Sequence, residues 1–253
     1  MPYDLQGKKV LVTGGSRGLG ELICFNFARE GCDLAVNYVA NAERAENVRR
    51  KIEGDYQRRA YVIQGDMGVE ADVIDTVKTA TEKLGGLDII ISNAGYTRFS
   101  KFSDLSAPTA EDWDRCYAVN VKAQAILMRE AAPIFNANPQ GGVLIMTSSI
   151  AGRNLGGSSM PYSVTKAAQL HLMRCLASTQ GPKIRVNAVL PGLLLTEWGL
   201  LYSEERIKEM NQKASLGKDT DLGDCAQTFV DVAKNASMTG QKIQVDAGLG
   251  QND

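Results

Sequence analysis

Histidine is almost missing from this chain, whose 253 residues include one, His171. A Ser-His-Asp hydrolase would have to draw its base from that residue, which falls on a helix and not near a strand end. A surface or interface position suits it better. No grouping of His, Cys and carboxylates has the spacing of a metal site, and no metal is expected. The five cysteines (Cys24, Cys32, Cys116, Cys175 and Cys225) are odd in number and form no CxxC pair. They imply neither a disulfide framework nor a zinc site, and reduced thiols in the cytosol are the simple expectation. No apolar run is long enough to span a bilayer. No basic run or Arg-rich arm accompanies the formal net charge of −1, so no nucleic-acid or membrane partner is expected. The N-terminus lacks a charged segment followed by an apolar core, so no signal peptide is expected and the location should be cytoplasmic.

What is present is a regular alternation. Short apolar runs at 9–13, 33–37, 60–63, 87–91, 143–146, 184–189 and 242–245 read as seven strands. Longer amphipathic stretches at 18–30, 41–53, 70–84, 110–135 and 161–178 read as helices between them. Pro133 should bend or end the fourth helix, and Pro161 is well placed as the first residue of the fifth. Apolar strands alternating with helices predict a parallel sheet covered on both faces, with right-handed crossovers. The expected fold is therefore α/β, a single-domain, Rossmann-type, doubly wound seven-stranded sheet across 1–253. Ligands of such sheets bind beyond the carboxyl ends of the strands. The least regular stretch, 193–216, is too long for a plain connection and is a candidate substrate lid.

Thr13-Gly14-Gly15-Ser16-Arg17-Gly18-Leu19-Gly20 follows the first strand and opens the first helix. A helix N-terminus offers unpaired N–H groups and partial positive charge, which suits a pyrophosphate. The glycines permit the tight turn and a close approach of phosphate to backbone. An ordinary strand-to-helix turn is the alternative. The spacing is Gly-x-x-x-Gly-x-Gly, not Gly-x-Gly-x-x-Gly, and no Gly-Lys-Ser/Thr follows to make a P-loop.

Further motifs follow in order: Ser92-Asn93-Ala94-Gly95 after the fourth strand, Asn120 in Val119-Asn120-Val121, and Ser149 after Thr147-Ser148. Tyr162-Ser163-Val164-Thr165-Lys166 comes next, then Pro191-Gly192 after the sixth strand and Thr196 beyond it. Together these resemble the short-chain dehydrogenase/reductase family, of the ketoreductase type, over nearly the whole chain. Two departures stand out. Ser92 replaces the first Asn of the family's Asn-Asn-Ala-Gly, and Ala247 replaces a glycine of its Asp-Gly-Gly ending.

The resemblance implies a bound nicotinamide dinucleotide held by Gly14, Ser16, Arg17, Gly18, Leu19 and Gly20. It places Asp66 and Met67 near the adenine, although Asp66 as a helix N-cap is an equal reading. It places Asn93, Ala94 and Gly95 on the nicotinamide-side wall, and Pro191, Gly192, Leu194 and Thr196 at the carboxamide. No Asp or Glu ends the second strand to bind a ribose diol. Arg17, backed by Asn37, Tyr38 and Asn41, could instead take a 2′-phosphate, which points to NADP(H). A solvated loop charge is the other reading of Arg17.

Tyr162 and Lys166 are i and i+4 and share a helix face. A free tyrosine has a pKa of about 10. A nearby ammonium should lower it and make Tyr162 a usable proton donor and acceptor. Ser149 can hydrogen-bond a substrate carbonyl, with Ser148 as the competing assignment. Lys166 should also grip the nicotinamide ribose. Asn120 is the family's fourth catalytic member, thought to hold a relay water; it can also be a structural amide satisfying helix backbone, and the two roles are compatible. Tyr96, Phe99, Leu155, Met160, Trp198 and Leu200 would suit an apolar or aromatic substrate.

The expected function is thus an NADP(H)-dependent oxidoreductase that reduces a small-molecule carbonyl or oxidises the matching alcohol. An NAD-dependent secondary-alcohol or sugar dehydrogenase is the alternative. A catalytically silent nucleotide sensor is a third reading, against which the four intact catalytic residues argue. The resemblance also implies a homotetramer or homodimer.

Overall fold

Seven short strands lie side by side in the computed structural model, which describes residues 3–250. They are β1 (Lys9–Val12), β2 (Asp33–Tyr38), β3 (Ala60–Gln64), β4 (Ile89–Ser92), β5 (Gly142–Thr147), β6 (Ile184–Pro191) and β7 (Lys242–Val245). All pairings are parallel, in the order β3-β2-β1-β4-β5-β6-β7. The central strands are rich in apolar residues because both faces of the sheet are covered there, while the edge strands β3 and β7 are more exposed. Successive side chains point to opposite faces, so Val10 and Val12 enter one core layer with Ile23, Phe27 and Phe229. Leu11, between them, enters the other with Val77, Leu127 and Met173.

The helices are α1 (Gly18–Arg29), α2 (Ala42–Tyr56), α3 (Glu70–Leu84), α4 (Ala110–Tyr117), α5 (Ala123–Ala137), α6 (Met160–Thr179), α7 (Glu204–Lys213) and α8 (Leu222–Lys234). The chain leaves β1 for β2 on one side and returns to place β4 on the other. The order reverses there, and the crevice between the carboxyl ends of β1 and β4 is the switch point where ligands of this architecture bind.

Four features differ from the sequence reading. The single helix expected over 110–135 is interrupted by a π-turn, Ala118–Lys122, which joins α4 to α5. Pro133 lies inside α5 and does not end it; the helix runs on to Ala137. Its buried face, including Ala131 and Phe135, outweighs the one backbone bond a proline forfeits. Two helices went unanticipated. α8 has a start signal in Asp221, whose carboxylate accepts from Asp224 N at 2.8 Å, and it buries Phe229 and Val230 against α1. α7 lies within 193–216 and buries no side chain, so no apolar stripe announces it. α6 begins one residue before Pro161, capped by Ser159, whose hydroxyl accepts from Tyr162 N. Among the described residues, no helix is long and apolar enough to cross a membrane.

Candidate active site

The glycine loop closes onto the switch point through backbone packing. Gly14 and Gly18 have φ of 62° and 56°, a region that glycine enters at little cost. A Cβ on Gly20 would lie 2.2 Å from the Gly14 carbonyl oxygen and 2.6 Å from Asn93 Nδ2. Asn93 ties the neighbouring strand ends together. Its Nδ2 donates to the carbonyls of Thr13 (3.1 Å) and Gly14 (3.2 Å), and its Oδ1 accepts from Thr147 Oγ1 at 3.2 Å. Thr13 Oγ1 accepts from the N–H groups of Asn93 and Ala94, each at 3.0 Å. Arg17 is the N-cap of α1 but gives no side-chain cap. The first-turn N–H groups of α1 are therefore left for an external anion, as a dinucleotide pyrophosphate requires. The side chain of Leu19 is buried in the core, so only its backbone can serve a ligand; Ser16 is half-buried.

Around β2 the structure reassigns two expectations. Asn37 is fully buried. Its Oδ1 accepts from Gly14 N (3.2 Å), and its Nδ2 donates to the carbonyls of Gly65 (2.9 Å) and Ile63 (3.3 Å). It braces the glycine loop against β3 and has no group left for a ribose phosphate. Asp66 is not the cap of α3, which is Val69. Its carboxylate accepts two bonds from Arg115 Nη2, at 2.7 and 2.8 Å, and one from Gly68 N at 2.8 Å. Burial alone would raise its pKa, but the bonds from Arg115 and Gly68 prevail and hold the carboxyl below its usual range. Met67 turns its side chain into the core. Tyr38 is half-buried at the end of β2. Arg17, in the glycine loop, and Arg44, in the helix after β2, converge on one carboxylate, Glu197, each at 2.5 Å.

Tyr162 and Lys166 stand on one face of α6, as their spacing predicted, with Lys166 Nζ 5.4 Å from the Tyr162 ring centroid. Lys166 is buried. Its Nζ donates to the Thr147 carbonyl (2.7 Å) and to Gln169 Oε1 (3.3 Å). Burial lowers its pKa to about 7. Tyr162 departs from the sequence expectation in the opposite sense. Removal of its phenol from water raises its pKa, only partly opposed by a hydrogen bond with Ser149. Desolvation wins here because it acts directly on the phenolate. Asn120 sits in the π-turn, fully buried. Its Oδ1 accepts from Tyr96 N (2.9 Å); its Nδ2 donates to the Tyr96 carbonyl (2.9 Å) and Thr165 Oγ1 (3.0 Å). Its side chain is thus a structural amide that locks the post-β4 loop to α6. π-turns are frequent at functional sites.

The two serines separate clearly. Ser148 is buried and spends its hydroxyl on the Lys166 carbonyl at 3.4 Å. Ser149 is half-exposed, accepts from Ala151 N (3.1 Å) and stands against the Tyr162 phenol. Ser149→Ala should lower turnover about 10²–10³-fold, the usual loss for one oxyanion donor. Ser148→Ala should instead cost about 1 kcal/mol of stability with turnover largely kept. Steady-state rates and melting curves of both variants check this, and equal kinetic losses would contradict it.

Opposite α6 lies the segment after β6. Pro191 is buried at the strand end, and a Cβ on Gly192 would meet Asp246 and Thr220 at 2.7 Å. Leu194 packs on the core, and the Thr196 methyl lies 3.3 Å from where a Gly18 Cβ would be. These residues sit beside the glycine loop. Trp198 tilts over Tyr162 with ring centroids 5.5 Å apart, and Phe99 meets Tyr202 edge-on at 4.9 Å. Gly95 faces Asn120 and Trp198. Leu155 and Leu200 are exposed. His171 is exposed on α6. The sequence reading passed over Arg44 and Gln169. Arg44 was findable as the third residue after the α2 cap Asn41. Gln169, at i+3 from Lys166, was findable as a polar residue on that lysine's face.

Residues 8–206 match the short chain dehydrogenase family. The chain is 33% identical over 250 residues to an L-rhamnose 1-dehydrogenase (NAD(P)(+)) of a Sphingomonas strain, covering 97% of each. Among solved structures it resembles a short chain dehydrogenase of Burkholderia cenocepacia in complex with NADP. That match has a TM-score of 0.89 and 33% identity, covering 98% of this chain and 99% of that one. It also resembles an NADPH-dependent 3-quinuclidinone reductase of Rhodotorula rubra, with a TM-score of 0.90 and 27% identity over 98% and 93% of the two chains. The chain belongs to the short-chain dehydrogenase/reductase family. It is an oxidoreductase of the nicotinamide-dependent kind, acting as a carbonyl reductase or an alcohol dehydrogenase.

Proposed function

We propose that this chain is an NADP(H)-dependent ketone reductase in which Tyr162 is the proton donor. The observation that carries this is the cluster on α6 and the loop after β5: Tyr162, the buried Lys166 5.4 Å from its ring, and Ser149 at its phenol. The bound dinucleotide supplies the hydride. Ser149 orients the substrate carbonyl and Tyr162 delivers the proton to its oxygen. Lys166, held by the Thr147 carbonyl and Gln169, binds the ribose next to the nicotinamide. Asn120 keeps the wall behind the site in place. With its pKa raised by burial, the Tyr162 phenol is protonated at neutral pH, the form that can deliver a proton.

The cofactor preference is supported by the absence of a carboxylate at the end of β2 and by two arginines beside it. The relatives add an NADP complex and an NADPH-dependent reductase. Phe99, Trp198 and Tyr202 favour an apolar or aromatic ketone. The rhamnose dehydrogenase relative supports a second reading, an aldose dehydrogenase working in the oxidative direction. A cytosolic location is in keeping with five unpaired cysteines. Self-association through α4–α5 and α6 is supported by exposed Tyr117 and Val164 on those helices.

The test is to follow NADPH and NADH oxidation with ketones, quinones, polyphenol-derived ketones and oxoacyl thioesters, and NADP⁺ and NAD⁺ reduction with aldoses. Turnover of NADPH by a ketone is expected. Preferential turnover of NAD⁺ with an aldose would replace this reading by the second.

A further inference from the structure

The carboxylate of Glu197 lies between two guanidinium groups drawn from separate parts of the fold. Arg17 belongs to the glycine loop and Arg44 to the first turn of α2, and each reaches one Glu197 oxygen at 2.5 Å. All three side chains are well exposed, so nothing in the packing forces them together. Glu197 follows Thr196, whose methyl abuts the Gly18 position. The carboxylate therefore rests on the rim of the dinucleotide groove, between the N-termini of α1 and α2. That rim is where β2 ends, and β2 ends without the acidic residue that would bind a ribose diol. Two arginines facing one point form a receptor for an anion with several oxygens, and a phosphate monoester satisfies such forks better than a carboxylate. The Arg17 and Arg44 bonds hold the Glu197 carboxyl below its ordinary range, as an anion seated in a cationic receptor should be.

We propose that Glu197 is an internal stand-in for the 2′-phosphate of NADP(H), occupying an Arg17–Arg44 receptor from which the cofactor displaces it. The proposal rests on the reading of the chain as an NADP(H) enzyme and deepens it. It assigns Arg44 as a second specificity residue and makes Glu197 a competitor built into the segment beside the site. A phosphate monoester carries about 1.5 to 2 negative charges at pH 7 against one for the carboxylate, so displacement favours the cofactor. An exposed ion pair is weak and screened by salt, so the competition amounts to a few-fold in affinity. NADH lacks the group that competes, so its affinity should not register the change.

The test is direct binding of NADPH and NADH, by calorimetry at low salt, to the parent, Glu197→Gln, Arg44→Gln and the double variant. Glu197→Gln should bind NADPH about threefold or more tightly, with NADH within twofold of the parent. Arg44→Gln should weaken NADPH tenfold or more and leave NADH within twofold. In the double variant the gain from Glu197→Gln should shrink, because only Arg17 is left for Glu197 to occupy. Raising the salt should shrink the Glu197→Gln gain. Equal tightening of both cofactors would mean that Glu197 mimics the pyrophosphate, and would overturn the proposal. Weakening of both would mean that Glu197 clamps the bound cofactor, and would overturn it too. So would unchanged affinities. A parent that prefers NADH would instead sink the wider NADP(H) reading, and this inference with it; a parent that prefers NADPH with unresponsive variants sinks this inference alone.

Discussion

Tyr162→Phe should leave the fold and cofactor affinity intact and lower ketone reduction by about 10²–10⁴-fold, the range expected when one positioned proton donor is removed. The phenyl ring keeps its seat against Trp198. Only the hydroxyl that meets Ser149 is deleted. Melting temperature and NADPH binding should therefore stay near the parent's while kcat collapses. The direction of the pKa shift makes a second, independent forecast. A phenol raised above its ordinary value stays protonated through neutral pH, so parent reduction should vary little from pH 6 to 8. Alcohol oxidation needs the phenolate and should climb as pH rises. Lys166 opposes this at the acid end. It gains its proton as pH falls through about 7, and a cation there favours the phenolate. Both pH profiles can be recorded on one preparation. A Phe variant with more than a tenth of parental turnover would remove Tyr162 from the mechanism.

Gly20→Ala carries a large expected structural cost in the glycine loop. The added methyl would sit 2.2 Å from the Gly14 carbonyl and 2.6 Å from the Asn93 amide, and both belong to backbone or braced groups with little room to move. Overpacking of this kind costs about 1–3 kcal/mol. For a chain of this size the melting temperature should fall by roughly 2–4 °C for each kcal/mol. The shift also pushes the glycine loop away from β4, so NADPH affinity should fall more than tenfold. Gly54→Ala is the control, since a Cβ there meets nothing within 4 Å and α2 gains a better helix former. Comparable melting points for the two variants would show that the loop absorbs the methyl.

The central strands were legible because they are buried on both faces and so read as largely apolar runs. The catalytic pair was legible because i and i+4 spacing is local. What escaped was set by contacts between distant residues. Nothing near Asn37 says that its amide braces Gly14 and Gly65 instead of reaching outwards; that depends on β2 lying between β1 and β3. Arg44 gains meaning only from Arg17 and Glu197, more than twenty residues before it and more than one hundred and fifty after it. The rise in the Tyr162 pKa reflects how far the phenol is withdrawn from water, which no spacing rule encodes. α7 was missed for the opposite reason, because it buries nothing.

The π-turn at Ala118–Lys122 has a consequence for how this protein can change. Such a turn is the equivalent of one surplus residue in a helix, and each residue advances an α-helix by about 100°. The rod formed by α4 and α5 is therefore out of phase with itself, and the slip falls at Asn120. Deleting a single residue there would give a more regular helix and a worse protein. The buried face of α5, from Ala123 to Phe135, would rotate off the sheet, or Asn120 would swing away from Tyr96 and Thr165. Helix regularity and site geometry compete along this rod, and the chain takes the irregular solution.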